Sequence, residues 1–210
     1  MRIELPRVVV HVLSGLAERG GDAVLVGGCV RDLVAGEPPG DWDVATSLPP
    51  ESVAAAFPGS SWQNPFGTVT VSGQPDEPRV EVTTFRVEET YRDRRRPESV
   101  RWGTSLEEDL ARRDFTVNAM AWRPTDLDAG EGMLVDPHQG AADLERRVLR
   151  AVGDPDQRVA EDALRLVRAV RFAVRYRLAL DPATAAAIQR NAEAAASLSG
   201  ERVRDELLRM

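Results

Sequence analysis

The sequence has a single cysteine, Cys29, two histidines, His11 and His138, and no lysine among its 210 residues. One cysteine excludes an internal disulfide framework and any zinc site built on several thiolates. Two histidines are too few for a histidine-rich metal centre. No apolar run approaches the length that spans a bilayer, and the opening Met1-Arg2-Ile3-Glu4-Leu5-Pro6 lacks a signal-peptide pattern, so the expected location is cytoplasmic. A formal net charge of −7 argues against a protein that coats nucleic acid non-specifically.

What is there in quantity is arginine, which makes up all 27 basic residues. A guanidinium is a rigid fork matched to phosphate and base edges. Arginines cluster at Arg92-Asp93-Arg94-Arg95-Arg96 and along Arg158 to Arg177, although a solvated face accounts for any one of them taken alone. With 42% hydrophobic and 29% charged residues, the chain has the composition of a globular protein with a sizeable core in one or two domains.

Residues 8–20 suit an amphipathic helix, and Ala23-Val24-Leu25-Val26 reads as a buried strand stopping at Gly27-Gly28. A helix is expected over Val30 to Ala35, a half-buried strand over Asp41 to Thr46 and a helix over Pro49 to Phe57. Strands should follow at Gly67 to Ser72 and Arg79 to Phe85, then a long polar loop from Arg86 to Ser105. Leu106 to Ala121 carries a helical pattern. Met133 to Val135 and Val148 to Val152 resemble short strands around a helix at Ala141 to Arg147. From Asp156 onward the pattern is wholly helical, with breaks at Asp181-Pro182 and Ser199-Gly200. The expected fold class is therefore α+β: a head with a small mixed sheet and flanking helices over residues 1–152, then an all-helical neck over 153–210.

Two constellations in the head carry chemistry. Gly27-Gly28 after a strand lets a backbone approach an anion closely, and a following helix N-terminus favours phosphate. Asp41 and Asp43 stand two apart on a strand, so their carboxylates share a face and suit Mg2+, which keeps waters and bridges substrate phosphates. Glu81, between Val80 and Val82, could bring a third carboxylate alongside, as two-metal phosphoryl transfer requires, though an exposed alternating strand position explains it almost as well. Alone, a Gly-Gly pair is a turn and Asp-x-Asp a solvated strand end. Strand, double glycine, helix, turn and Asp-x-Asp strand in that order form a more specific signal. Cys29, with no partnered base, reads as a packing residue. Trp42 and Trp122 read as core, and Trp102 as a residue that could stack on a base.

Gly27-Gly28-x-Val30-Arg31-Asp32 with Asp41-x-Asp43 resembles the first signature of the polymerase-β-like nucleotidyltransferases, and within them the class II tRNA nucleotidyltransferase (CCA-adding) and bacterial poly(A) polymerase family. Arg112-Arg113-Asp114-Phe115-Thr116-Val117-Asn118-Ala119-Met120-Ala121 looks like that family's second signature. Glu161-Asp162-Ala163-Leu164-Arg165 resembles its nucleotide-selecting motif, and Glu201-Arg202 with Glu206-Leu207 the start of a further helical motif.

The resemblance implies a template-independent, Mg2+-dependent transferase adding C and A from CTP and ATP to a tRNA 3′ end. Poly(A) synthesis, or a nucleotide-binding or assembly module without a productive hold on RNA, are its alternatives. It implies that Gly28 and Arg31, beside Gly27 and Asp32, hold phosphate, that Arg113 contacts the triphosphate or ribose, and that Asp114 and Asn118 orient that contact. On a helix Asp162 and Arg165 share a face. A carboxylate there accepts from the exocyclic amine of cytosine or adenine while the guanidinium donates to ring acceptors, which rejects guanine and uracil. The resemblance also places Arg168 and Arg171 near the nucleotide, yet each three-residue step on an ideal helix drifts about 60° backwards, which carries Arg171 roughly opposite Asp162. Val167, Val170 and Val174 are expected to pack this helix. The segment Glu88 to Arg101 matches the full-length flexible loop that CC-only members shorten, which favours CCA or A addition. Family members continue into helical body and tail regions that hold tRNA, so here such regions or a partner subunit are expected to supply that hold.

Overall fold

The computed structural model describes residues 1–62, 67–87 and 101–210. Helix α1 (Arg7–Ala17) buries Val8, Val9, Val12, Leu13 and Leu16 along one stripe. Strand β1 (Ala23–Val26) is buried on both sides. Ala23 and Leu25 pack with α1, while Val24 and Val26 pack on the opposite face. That double burial explains a run of apolar residues with no alternation.

After β1 come α2 (Gly28–Val34), β2 (Trp42–Thr46) and α3 (Pro50–Ala56), whose proline occupies the first turn, where its missing N–H costs nothing. Strands β3 (Ser61–Trp62), β4 (Thr68–Ser72) and β5 (Arg79–Thr84) follow. The short strands β6 (Arg86–Val87) and β7 (Arg101–Trp102) pair antiparallel. The segment expected as one long loop is thus closed by a ladder at its two ends, and the arginine cluster at 92–96 lies outside the described residues. Trp102, read as a residue that could stack on a base, is half-buried against Gly67. Trp42 and Trp122 do lie in the core.

Helix α4 (Leu106–Ala111) opens on Ser105, whose side chain accepts the Glu108 N–H. The helical pattern of Leu106 to Ala121 does not run through. Asp114 Oδ1 accepts the N–H of Phe115 at 2.8 Å, and the Thr116 N–H donates to Arg150 O at 2.9 Å, which turns the chain away from the helix axis. Thr116 to Asn118 form one 3-10 turn. Strand β8 (Ala121–Asp126) then pairs with β1 and with β9 (Glu131–Val135). Seven strands form one sheet in the order β3-β4-β5-β2-β1-β8-β9, in which only the β2–β5 pair is parallel.

Beyond the sheet come α5 (Gly140–Glu145), β10 (Val148–Leu149), α6 (Pro155–Glu161), α7 (Leu164–Arg175), β11 (Ala179–Leu180), α8 (Pro182–Arg190) and α9 (Gly200–Leu207). The expected all-helical run is corrected twice. Ala179 and Leu180 form a strand parallel to Val148 and Leu149, tying the neck back to the head. The helix expected through Asp162 breaks there, because Asp162 is extended (φ −148°, ψ 109°) and its Oδ1 accepts the Leu164 N–H at 3.0 Å. The packing face of α7 is Leu166, Ala169 and Phe172, whereas Val170 and Val174 are 49% and 60% exposed. The expectation that those valines pack the helix is therefore wrong: the stripe that meets Phe115, Val117 and Leu149 runs through Ala169 and Phe172 instead.

Candidate active site

Trp42 and Val44 of β2 point into one core, so Asp43 and Ala45 point to the other face of the sheet. Asp43 stands in register with Glu81 on parallel β5, and Asp41 stands just before the strand. Burial first, then the charges of Glu81 and Asp41, push the Asp43 carboxyl up to about 6, against the pull of Arg113 and Arg31. Crowded like charges of this kind suit a cation. Among the described residues, no group of three His, Cys, Asp or Glu side chains is placed to hold a metal ion without help. Two aspartates with water and phosphate oxygens completing the shell fit Mg2+, which is seldom caged by protein alone.

The turn from β1 into α2 shapes the next wall. Gly27 has φ +73° and ψ −130°, which side chains rarely tolerate. Its bare Cα also admits Arg113, whose Nη1 lies 2.8 Å from where a Cβ would stand. Arg113 Nη2 donates to Asp109 Oδ2 at 2.9 Å, while its buried Nε has no partner among the described residues. Burial alone would raise the Asp109 carboxyl, but Arg113 and Arg112 hold it down at about 2. Asp109 anchors both arginines of the second signature, a role the sequence reading missed because it lies three and four residues before them, outside the signature itself. Cys29 is buried behind the turn, and that burial, with Asp43 nearby, pushes its thiol up to about 12. It is a packing residue.

Arg31 is almost fully enclosed. Its Nε and Nη2 donate to Asp32 Oδ1 at 2.9 and 2.7 Å, and its Nη1 donates to Asn118 Oδ1 at 2.7 Å. Asn118 Nδ2 donates to Asp114 Oδ1 at 3.2 Å, and Arg168 Nε donates to Asp114 Oδ2 at 2.7 Å. Burial opposes ionisation of Asp114, but the Arg168 charge and hydrogen bond keep its carboxyl below the ordinary range. Arg168 also reaches Glu206, 3.5 Å away on α9, and Arg171 Nε pairs with Glu206 at 2.9 Å. Arg171 is thus held in an ion pair with α9.

Asp162 and Arg165 flank the break between α6 and α7. Arg202 Nη2 donates to both carboxylate oxygens of Asp162, at 3.2 and 3.0 Å. Arg165 donates to Glu161 Oε2 at 2.5 Å and to the carbonyls of Arg158 and Arg112, each at 2.9 Å. Because Asp162 precedes α7 rather than lying on it, the helical drift that would set Arg171 opposite Asp162 does not apply.

These elements enclose a cleft of about 540 Å³ lined by Gly27, Gly28, Arg31, Asp41, Asp43, Arg113, Asp114, Asn118, Asp162, Arg165, Arg168 and Arg171. Asp32 and Glu81 line a second cleft of about 860 Å³, which shares Gly28, Arg31, Asp41, Asp43 and Arg171 with the first. The fourteen residues singled out in the sequence thus surround two adjoining spaces. Thr83, Arg86, Phe172, Tyr176 and Arg209 also line the first cleft and were not singled out. Phe172 and Tyr176 follow the spacing of ordinary core residues, so no local signal marks them.

A family model described as the poly(A) polymerase head domain matches residues 23–150, and one described as a probable RNA- and SrmB-binding site of polymerase A matches residues 177–210. The CCA-adding enzyme of Geobacillus stearothermophilus is 45% identical over 197 residues, covering 93% of this chain and 47% of that protein. The CCA-adding enzyme of Lactobacillus helveticus is 43% identical over 211 residues, covering 99% and 51%. The crystal structure of the Bacillus stearothermophilus CCA-adding enzyme in complex with CTP superposes with a TM-score of 0.82 at 41% identity, covering 96% of this chain and 47% of that one. A CCA-adding enzyme complex with ATP gives 0.74 at 25% identity, covering 95% and 46%. The chain spans about half the length of the curated relatives it matches.

Proposed function

The chain belongs to the family of the poly(A) polymerase head domain, and from that premise we propose that it forms the catalytic part of a transferase that adds C and A to the 3′ end of tRNA. One observation carries the reading: the carboxylates Asp41 and Asp43 and the base-reading pair Asp162 and Arg165 open on the same cleft. Metal chemistry and base choice thereby share one cleft. We take residues 1–152 as the catalytic head and 153–210 as the nucleotide-selecting neck of a cytoplasmic protein.

In this reading the RNA 3′-hydroxyl attacks the α-phosphate of CTP or ATP in line. A new P–O bond forms, the α–β bridge breaks and pyrophosphate leaves. Mg2+ bound by Asp41 and Asp43 would stabilise the charge on the transferring phosphoryl group and favour deprotonation of the hydroxyl. Gly28 and Arg31 hold phosphate, and Arg113 meets the triphosphate or ribose. Asp162 exchanges Arg202 for the exocyclic amine of the base, and Arg165 donates to the ring. A uracil or guanine would set an acceptor against Asp162 and leave polar groups unpaired, the stronger source of rejection. No protein side chain is needed as general base where positioning and charge supply the rate.

The test supplies Mg2+, tRNA ending before or after the CC step, and each labelled nucleotide singly. C and A should be incorporated, and Asp41→Ala or Asp43→Ala should abolish the signal. Equal incorporation of G and U would overturn the base-reading role of Asp162 and Arg165. Long A tracts on unrelated RNA would favour poly(A) synthesis. CTP binding without incorporation would favour a nucleotide-binding module.

A further inference from the structure

Arg31 and Tyr176 come from opposite ends of the chain, yet they meet between the two clefts and line both. Arg31 Nη2 donates to Tyr176 Oη at 2.5 Å, and its Cζ lies 3.9 Å from the Tyr176 ring centroid. The same Nη2 sits over the glycine turn, 3.6 Å from where a Cβ on Gly28 would stand. The phenol ring is braced from behind: it stacks on Phe172 at 5.8 Å and 24°, and Phe172 meets Phe115 edge-on at 5.8 Å. Phe115 and Phe172 belong to the buried cluster between head and neck. A continuous aromatic column therefore runs from the core to the guanidinium.

We propose that Tyr176 is a positioning residue that fixes the Arg31 guanidinium over the Gly27-Gly28 turn, and that it thereby sets nucleotide affinity. The second clause rests on the function proposed above; the first does not. Asp32 and Asn118 engage Arg31 along its edges. Among the described residues, only Tyr176 and, at 5.6 Å, Phe172 cover its face. Edge contacts leave a guanidinium free to tip out of plane. A ring on its face removes that freedom, and the Oη acceptor fixes its rotation. The arrangement lets the neck hold a residue of the phosphate-binding turn without itself touching phosphate.

Two measurements on the full chain test the proposal. The first is the 15N NMR signal of the Arg31 side chain without any nucleotide, assigned by its loss in Arg31→Lys. Rotation about Cζ–Nε should be slow in wild type, faster in Tyr176→Phe and fastest in Tyr176→Leu, where only Asp32 and Asn118 still restrain it, with the backbone spectrum otherwise preserved. Unchanged rotation in Tyr176→Leu would overturn the proposal. The second is nucleotide kinetics. Tyr176→Leu should raise KM for CTP about tenfold with kcat little changed, while Tyr176→Phe, which keeps the ring, recovers most of the loss. In an Arg31→Lys background, Tyr176→Leu should add nothing further, whereas additive losses would show that Tyr176 acts independently of Arg31. If wild type incorporates no nucleotide, the proposed reaction fails, and the NMR result still decides whether Tyr176 positions Arg31.

Discussion

Arg113 rests on the bare Cα of Gly27: its Nη1 occupies space 2.8 Å from the position of an absent Cβ. The contact joins the first and second signatures, which lie far apart in sequence, in a single wall of the cleft. Gly27→Ala should therefore act in two ways. The positive φ becomes strained at a cost of about 1–3 kcal/mol, and Arg113 is displaced from the wall. We expect CTP affinity to drop at least about tenfold while the circular dichroism spectrum stays folded. Titration calorimetry with CTP checks this, and wild-type affinity in the variant would refute the contact's importance.

Asp43 should weaken the metal-free protein. Its carboxyl titrates near 6 instead of the ordinary 3.8, so the folded state holds the proton more tightly than the unfolded state. Stability is then lost as pH rises from 3.8 to about 6, and the loss is complete above that range. In chelator-treated buffer at neutral pH, Asp43→Asn should gain about 1–2 kcal/mol, discounted for partial exposure. The difference should fade by pH 4, where both side chains are neutral. Thermal melts across this range decide the point, and a gap independent of pH would count against it.

Asp114 should do the reverse. Its carboxyl is held below the ordinary 3.8 by Arg168, so its stabilisation is present above that value and is lost as pH falls through the folded pKa. Asp114→Ala strands Arg168, Asn118 and the Phe115 N–H, and should cost about 3–5 kcal/mol in urea unfolding. Asp114→Ala with Arg168→Leu should cost less than the two single changes added together.

Helix α7 offers a contrast between two apolar positions two residues apart. Phe172→Ala empties a buried site and should cost about 3–5 kcal/mol. Val174→Ser changes an exposed position and should stay within about 0.5 kcal/mol. Equal losses would restore the packing role first expected of Val174.

The sequence made the strands of the head legible where burial is uniform, as in β1, or where polar and apolar residues alternate, as in β2. It misled at Leu106 to Ala121, where a helical period continues through residues that β1 and Arg150 pull into a turn and a strand. Such partners are distant in the chain and leave no trace in a local window. The same holds in the site. Asp41, Asp43 and the two glycines announce themselves by type and spacing, whereas Asp109, Phe172 and Tyr176 act by supporting another side chain and resemble any buried residue. The break at Asp162 was hidden because its side chain caps the following helix by a contact two residues away, within an otherwise helical pattern.

Most arginines of the cleft already face an internal carboxylate. Arg112 and Arg113 are paired with Asp109, Arg165 with Glu161, Arg168 with Asp114, and Arg171 with Glu206. A triphosphate entering here meets an ion exchanger rather than a bare cationic trough: each guanidinium it recruits must loosen or share an internal carboxylate. Dissolved salt is then only a minor competitor. Nucleotide affinity should fall less steeply with ionic strength than the number of arginines around the cleft suggests.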